Sequence, residues 1–140
     1  NYAKALHYFQ LSAAQGNADG ENGLGLMYHF GHGVPQNYAK ALHYFQLSAA
    51  QGNAYGEDGL GDMYENGYGV TQDYAKALHY YQLAAAQGNA TGEDGLGFLY
   101  ENGDGVTQDY AKALHYYQLA AAQGNADAAD GVERVSNLIK

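Results

Sequence analysis

The 140-residue chain contains no cysteine, and only six lysines and arginines stand against fifteen aspartates and glutamates. The missing cysteines exclude disulfides and thiolate chemistry. They leave the compartment open, because secreted proteins can also lack cysteine. The shortage of basic residues gives a net charge of −9, which argues against nucleic acid and anionic membrane surfaces as partners and favours a basic or a neutral one. No apolar run reaches membrane-spanning length, so no membrane insertion is expected, and no signal peptide is visible. The chain starts at Asn1 rather than at a methionine, as expected of a piece excised, processed or truncated from a longer array. What it has in quantity is glycine, 20 residues, and tyrosine, 15 residues, within a 46% hydrophobic composition. That is enough apolar material for one folded domain.

Self-similarity organises the chain. The segment NYAKALHYFQLSAAQGNA at 1–18 recurs unchanged at 37–54 and returns as DYAKALHYYQLAAAQGNA at 73–90 and 109–126. Successive starts at 1, 37, 73 and 109 give a period of 37 − 1 = 36 residues. Between the copies lie NGLGLMYHFGHGV at 22–34, DGLGDMYENGYGV at 58–70 and DGLGFLYENGDGV at 94–106. A phosphate-binding loop has no reason to recur three times at fixed spacing, whereas a structural unit does. The units are 1–36, 37–72, 73–108 and an atypical 109–140, forming one domain.

Each unit reads as two helices. In the first, from about Tyr2 to Gln15, Tyr2, Ala5, Leu6, Phe9 and Ala13 share one face at 100° per residue. Leu11 and Ala14 lie nearly opposite, which predicts a helix sandwiched between neighbours in a stack. Asn37, Asp73 and Asp109 are N-cap candidates and Gly16 is a stop. After a tight turn, Asn17 starts the second helix, with Leu24, Met27 and Tyr28 as its core stripe, Gly20 on the same side, and Gly31 and Gly33 at its end. Glycine inside a helix costs about 1 kcal/mol relative to alanine. Gly20, Gly23 and Gly25, with their counterparts, are therefore expected to allow close approach of neighbouring helices.

The pattern carried by Leu60, Gly61, Met63, Tyr64, Gly67, Gly69, Val70, Gln72, Asp73, Tyr74, Lys76, Ala77, Tyr80, Ala85, Ala86, Gln87 and Gly88 resembles the Sel-one-like repeat family, a relative of the tetratricopeptide repeat. The resemblance spans essentially the whole chain. It implies an all-α, right-handed α/α solenoid of four helix-turn-helix repeats. It also implies an adaptor or scaffold role in protein complexes, common in bacteria and in eukaryotic quality control, and a periplasmic or secreted bacterial location. The chain departs from the family pattern in carrying His7, His43, His79 and His115 where an aromatic residue is usual, and Gly20, Gly56 and Gly92 where alanine is usual. The absence of cysteine sets it apart from the disulfide-rich branch, the one for which enzyme-like activity has been suggested. In the last unit Ala128, Glu133 and Ser136 replace the expected Gly, Gly and Tyr, and Arg134 and Lys140 are added. Such polar terminal repeats cap solenoids, whereas the N-terminal unit has no such features and reads as uncapped.

Units 1 and 2 differ at seven positions: 19/55, 22/58, 26/62, 29/65, 30/66, 32/68 and 35/71. The first five project onto one stripe of the second helix, opposite its core stripe, and 55/91, 62/98 and 68/104 change again in unit 3. Solvent-facing positions drift freely, but Leu26, Phe30, Tyr55 and Phe98 would place large apolar groups on that face, and aromatic residues ringed by charge mark interfaces. The expected partner-binding stripe is therefore Asp19, Leu26, His29 and Phe30, then Tyr55, Asp62, Glu65 and Tyr68, then Thr91, Phe98, Glu101 and Asp104. Its partner would be a protein or peptide, basic or with apolar anchors.

Other chemistry is weaker. The histidine column at 7, 43, 79 and 115 fits half-buried packing better than metal binding, because stacked helices stand about 8–10 Å apart. His29 and His32 are one pair at i, i+3 without echo. Asp58, Asp62 and Glu65 share a helix face, with Glu93, Asp94 and Glu101 as a partial echo, and read as a solvated acidic surface without a nucleophile or pocket. ENGDGVTQD at 101–109 lacks calcium ligands at the first and last loop positions, and Asn89-Ala90-Thr91 is a sequon in a tight turn. Nothing calls for a cofactor or a metal. The leading expectation is a non-enzymatic interaction scaffold; the alternative is a structural protein that self-associates end to end through its N-terminal repeat.

Overall fold

The computed structural model describes Asn1–Lys140. Eight helices follow one another with no strand: α1 (Tyr2–Ala14), α2 (Ala18–Phe30), α3 (Tyr38–Ala50), α4 (Ala54–Asn66), α5 (Tyr74–Ala86), α6 (Ala90–Asn102), α7 (Tyr110–Ala122) and α8 (Ala126–Ile139). Each boundary has a local cause. Asn37, Asp73 and Asp109 cap their helices by accepting from the backbone N–H three residues on, and Asn17, Asn53, Asn89 and Asn125 do the same for the second helices. Gly16, Gly52 and Gly88 follow the first helices at φ of 76–78°, a left-handed conformation that side chains resist. The turn then closes back, as Asn53 N–H donates to the Ser48 carbonyl.

Every helix packs on the next in sequence, and α2–α4, α4–α6 and α6–α8 also touch. The odd-numbered helices have no such contacts with one another. A stack whose even helices touch while its odd helices splay apart curves around the even set. The fold is therefore an α/α solenoid with α2, α4, α6 and α8 lining the inner face.

The core is a string of small clusters, one per junction: Ala41, Phe45, Leu60 and Met63; then Ala77, Tyr81, Leu96 and Leu99; then Ala113, Tyr117, Ala120, Ala128 and Val135. A polar ladder ties successive units together. Gln51, Gln87 and Gln123 each donate from Nε2 to a buried glutamate of the preceding unit (Glu21, Glu57 and Glu93, at 2.6–2.7 Å) and to the carbonyl of Gly16, Gly52 or Gly88 at 2.9 Å. The buried charge is thereby hydrogen-bonded. Burial still pushes the Glu57 carboxyl up, opposed by the Gln87 bond.

Two expectations need correction. The second apolar face of the first helices is not sandwiched: Leu11, Leu47, Leu83 and Leu119 are 38–52% exposed, because the odd helices splay. For the same reason the histidines at 7, 43, 79 and 115 are exposed rather than half-buried. The three beyond His7 each sit edge-on to the next tyrosine, as His43 does to Tyr44. At the ends, α1 buries no residue, and α8 combines exposed Glu133, Arg134 and Asn137 with exposed Leu138 and Ile139.

Candidate functional site on the inner face

The helix glycines create the site. A Cβ placed on Gly61 of α4 would lie 2.6 Å from the Tyr81 ring, and one on Gly95 of α6 would lie 2.8 Å from it. Tyr81, from α5, therefore passes between α4 and α6. Tyr117 passes between α6 and α8 through Gly97 and Gly131, and Phe45 between α2 and α4 through Gly25 and Gly59. The expected close approach of helix backbones holds at Gly20 and Gly56, where a Cβ would meet Ser12 or Ser48 and the following backbone nitrogen at 2.5–2.8 Å. Gly92 repeats this contact against Ala84, at 2.8 Å, whereas Gly23, Gly25, Gly59, Gly61, Gly95, Gly97 and Gly131 make room for an aromatic ring instead.

These rings carry outer-layer groups to the inner face. The Tyr81 hydroxyl donates to Glu65 Oε1 at 2.7 Å, and the Tyr117 hydroxyl to Glu101 Oε1 at 2.7 Å. Phe45 has no hydroxyl, and the residue at the corresponding place is His29, whose ring centroid lies 6.4 Å away. A third residue, from the following second helix, completes each junction. Asp62 lies 3.7 Å from His29 Nε2. At the second junction the equivalent residue is Phe98, which lines the same concavity as Glu65 and Tyr81. Arg134 grips Glu101 with two bonds of 2.7 Å, Nε to Oε2 and Nη2 to Oε1, and lies 5.9 Å from the Tyr117 ring centre.

Between the second and third junctions lies an open concavity of about 350 Å³. Asp58, Asp62 and Glu65 of α4 line it, with Asp94 and Phe98 of α6, Asp127, Asp130 and Arg134 of α8, and the two tyrosines. Crowding perturbs its carboxyls. Burial, then the charges of Asp62, Asp94 and Glu65, push Asp58 up to about 7, and its Oδ1 is buried without a hydrogen-bond partner. Burial and Asp127 push Asp94 up to about 6 against the pull of Arg134. Asp62 and Glu65 are also raised by burial, opposed respectively by His29 and by the Tyr81 bond. Glu101 alone is lowered, because Arg134 holds it. Desolvated carboxylates that repel one another favour an incoming cation. No three of the chain's histidine and carboxylate groups are placed to share one metal ion.

The Sel1 repeat model matches residues 1–17, 18–53, 54–89 and 92–125. The chain belongs to the Sel1 repeat family. It is similar to a Sel1 repeat protein from Oxalobacter formigenes, at 32% identity and a TM-score of 0.77 over 92% of this chain and 97% of that one. It is also similar to c5321, a protective antigen of uropathogenic Escherichia coli with the same fold, at 37% identity and a TM-score of 0.80 over 89% of this chain. The matched part spans 27% of the antigen's length. Cysteine-rich protein B of Helicobacter pylori matches at 27% identity and a TM-score of 0.69 over 92% of both chains. No curated protein sequence matches.

Within this Sel1 array the twelve stripe residues divide into two groups. Leu26, Phe30, Tyr55 and Phe98 are 42–63% exposed, and Asp19 and Thr91 are exposed as well. The other six do not face away from the core as expected. His29 is buried, edge-on to Phe30 and Tyr68 and tilted against Tyr38, and burial lowers its pKa against the pull of Asp62. Asp62, Glu65, Tyr68, Glu101 and Asp104 are half-buried, because the inner curve folds neighbouring second helices toward each other. The acidic stretch is accordingly the wall of a concavity rather than a freely solvated face. Asn89 of the sequon caps α6, accepting from Gly92 N–H at 2.8 Å.

Tyr81, Tyr117, Asp94, Asp127, Asp130 and Arg134 complete the site and were not in the expected stripe. For the two tyrosines a signal existed. The change from Phe9 and Phe45 to Tyr81 and Tyr117 accompanies the change from His29 to Glu65 and Glu101.

Proposed function

We propose that this Sel1 repeat chain is a non-enzymatic interaction scaffold that receives a basic segment of another protein along the inner face of α2, α4, α6 and α8. The observation that carries this reading is the concavity between α4 and α8, where half-buried carboxylates with raised pKa values surround Phe98 and two tyrosine hydroxyls. A cation entering there relieves mutual repulsion, while Leu26, Phe30 and Phe98 offer apolar anchors along the same face. The rigid stack presents this surface without an ordering cost. The Sel1 repeat family to which the chain belongs fits a role built on binding rather than turnover.

Peptides displayed at random and selected on the immobilised chain test the reading. Cationic sequences are expected to be enriched, to weaken as salt rises, and to lose affinity on Leu26→Ala and Phe98→Ala. Binders that ignore salt and both substitutions would refute it. A second reading, end-to-end association, is supported by the exposure of Tyr2, Tyr8 and Leu11 on α1, at 52–66%. A mass that stays near 15.0 kDa across a wide concentration range in light scattering would reject it.

A further inference from the structure

The three junctions of the solenoid place different side chains in one backbone frame, and in two of the three a carboxylate faces a histidine or an arginine. The first pairs His29 with Asp62, and the third pairs Glu101 with Arg134. The second holds Glu65, with the Tyr81 hydroxyl on Oε1, no side chain donating to Oε2, and Phe98 where Arg134 stands one period later. Asp58, Asp62 and Asp94 surround it. We propose that Glu65 and Tyr81 form an arginine receptor: a guanidinium from the partner segment docks across both oxygens of Glu65, as Arg134 does on Glu101. This rests on the inner-face reading above and names the side chain that face recognises.

Three features select arginine over lysine. The Arg134 pair shows that this frame accepts a planar fork, with Nε and Nη2 meeting two carboxylate oxygens at once. The Tyr81 hydroxyl occupies only one lobe of Glu65 Oε1, and the Tyr117 hydroxyl leaves the same room for Arg134 Nη2 on Glu101. Phe98, 42% exposed, offers an aromatic wall on which a guanidinium stacks better than an ammonium.

The test titrates the whole isotope-labelled chain with acetyl-Gly-Gly-Arg-Gly-Gly-amide, followed by amide chemical shifts. Peptides with lysine or citrulline in place of arginine serve as controls, citrulline having the shape of arginine without its charge. The arginine peptide is expected to shift signals around Glu65, Gly95 and Phe98. The lysine peptide should bind about tenfold more weakly and citrulline should not bind, because the bidentate charged contact is lost. Glu65→Gln should weaken the arginine peptide about tenfold or more. Phe98→Arg should fill the receptor from within and abolish binding while keeping the chain folded, as Arg134 does next door. Arg134→Ala should uncover Glu101 and Tyr117 and raise the stoichiometry from one to two. If arginine and lysine peptides shift the same inner-face signals equally and Glu65→Gln changes nothing, the arginine receptor is overturned while the basic inner face stands. If neither cationic peptide shifts an inner-face amide, both fall.

Discussion

Asp58 makes the stability of this protein run against the usual pH trend for carboxylates. Its folded pKa is about 7 against an ordinary 3.8, so between those values the folded state holds a proton that the unfolded chain has released. Stability from this group is therefore fully present below pH 4 and is lost as pH rises through 7. A shift of about three units is worth at most about 4 kcal/mol. Water reaching the open concavity reduces the expected effect to about 1–3 kcal/mol. Asp58→Asn removes the ionisation while keeping the shape. At pH 8 the variant should be more stable than the parent by that amount, roughly 3–10 °C in melting temperature for a chain of this size, and near pH 4 the two should coincide. Melting followed by circular dichroism at pH 4, 6, 7 and 8 measures this. An equal gain at every pH would show that ionisation is not the cause, and no gain at pH 8 would refute the reasoning altogether.

The ladder glutamine Gln123 supports a buried charge, so Gln123→Ala strands Glu93 and should cost about 1–3 kcal/mol in urea unfolding. Gly97→Ala forces a methyl group to 2.6 Å from the buried Tyr117 ring. Overpacking by about 1–3 kcal/mol should outweigh the roughly 1 kcal/mol of helix propensity gained, and a stabilised variant would show that the ring can yield. Gly88→Ala has open space around it but a φ of +78°, so it should destabilise by about 1 kcal/mol through the backbone alone. Glu101 titrates in the opposite sense to Asp58. Arg134 lowers its pKa, so its contribution is present at neutral pH and lost on acidification through its folded pKa, and Arg134→Met should abolish that loss in urea titrations at pH 7 and pH 3.

The helices, their caps and the solenoid were legible because the repeat shows each local signal several times: an Asn or Asp before each helix, a glycine after each first helix, and Leu-Met-Tyr at core spacing. The family resemblance implied that the second helices line the concave side, but the degree of curvature was not legible. Whether Leu47 is covered or bare depends on how far α3 and α5 splay, which is set by the summed sizes of residues between layers rather than by any one helix. The site was half legible. Variation along the second helix pointed to Asp62, Glu65 and Phe98, but helical periodicity alone treated them as one outward stripe. The aromatic ring that passes between two second helices comes from the first helix that lies between them in sequence, sixteen residues after the glutamate it meets. No single-helix projection contains such a pair.

On the proposed reading, that crossing is what lets so uniform an array be specific. Near-identity in the first helices and in the Gln–Glu ladder keeps every junction in the same backbone frame. Changing His29 and Phe45 to Glu65 and Tyr81 alters the chemistry at the inner end of the ring without altering the glycine gap that admits it. The third position then decides what the junction does. Asp62 faces a histidine at 3.7 Å and Arg134 grips a glutamate with two bonds, whereas Phe98 leaves Glu65 with a hydroxyl and no basic side chain. An array that saturated every junction would be more stable and would have nothing to offer a partner. If the inner face binds as proposed, the binding capacity of this chain is concentrated at the one junction whose glutamate faces no basic side chain.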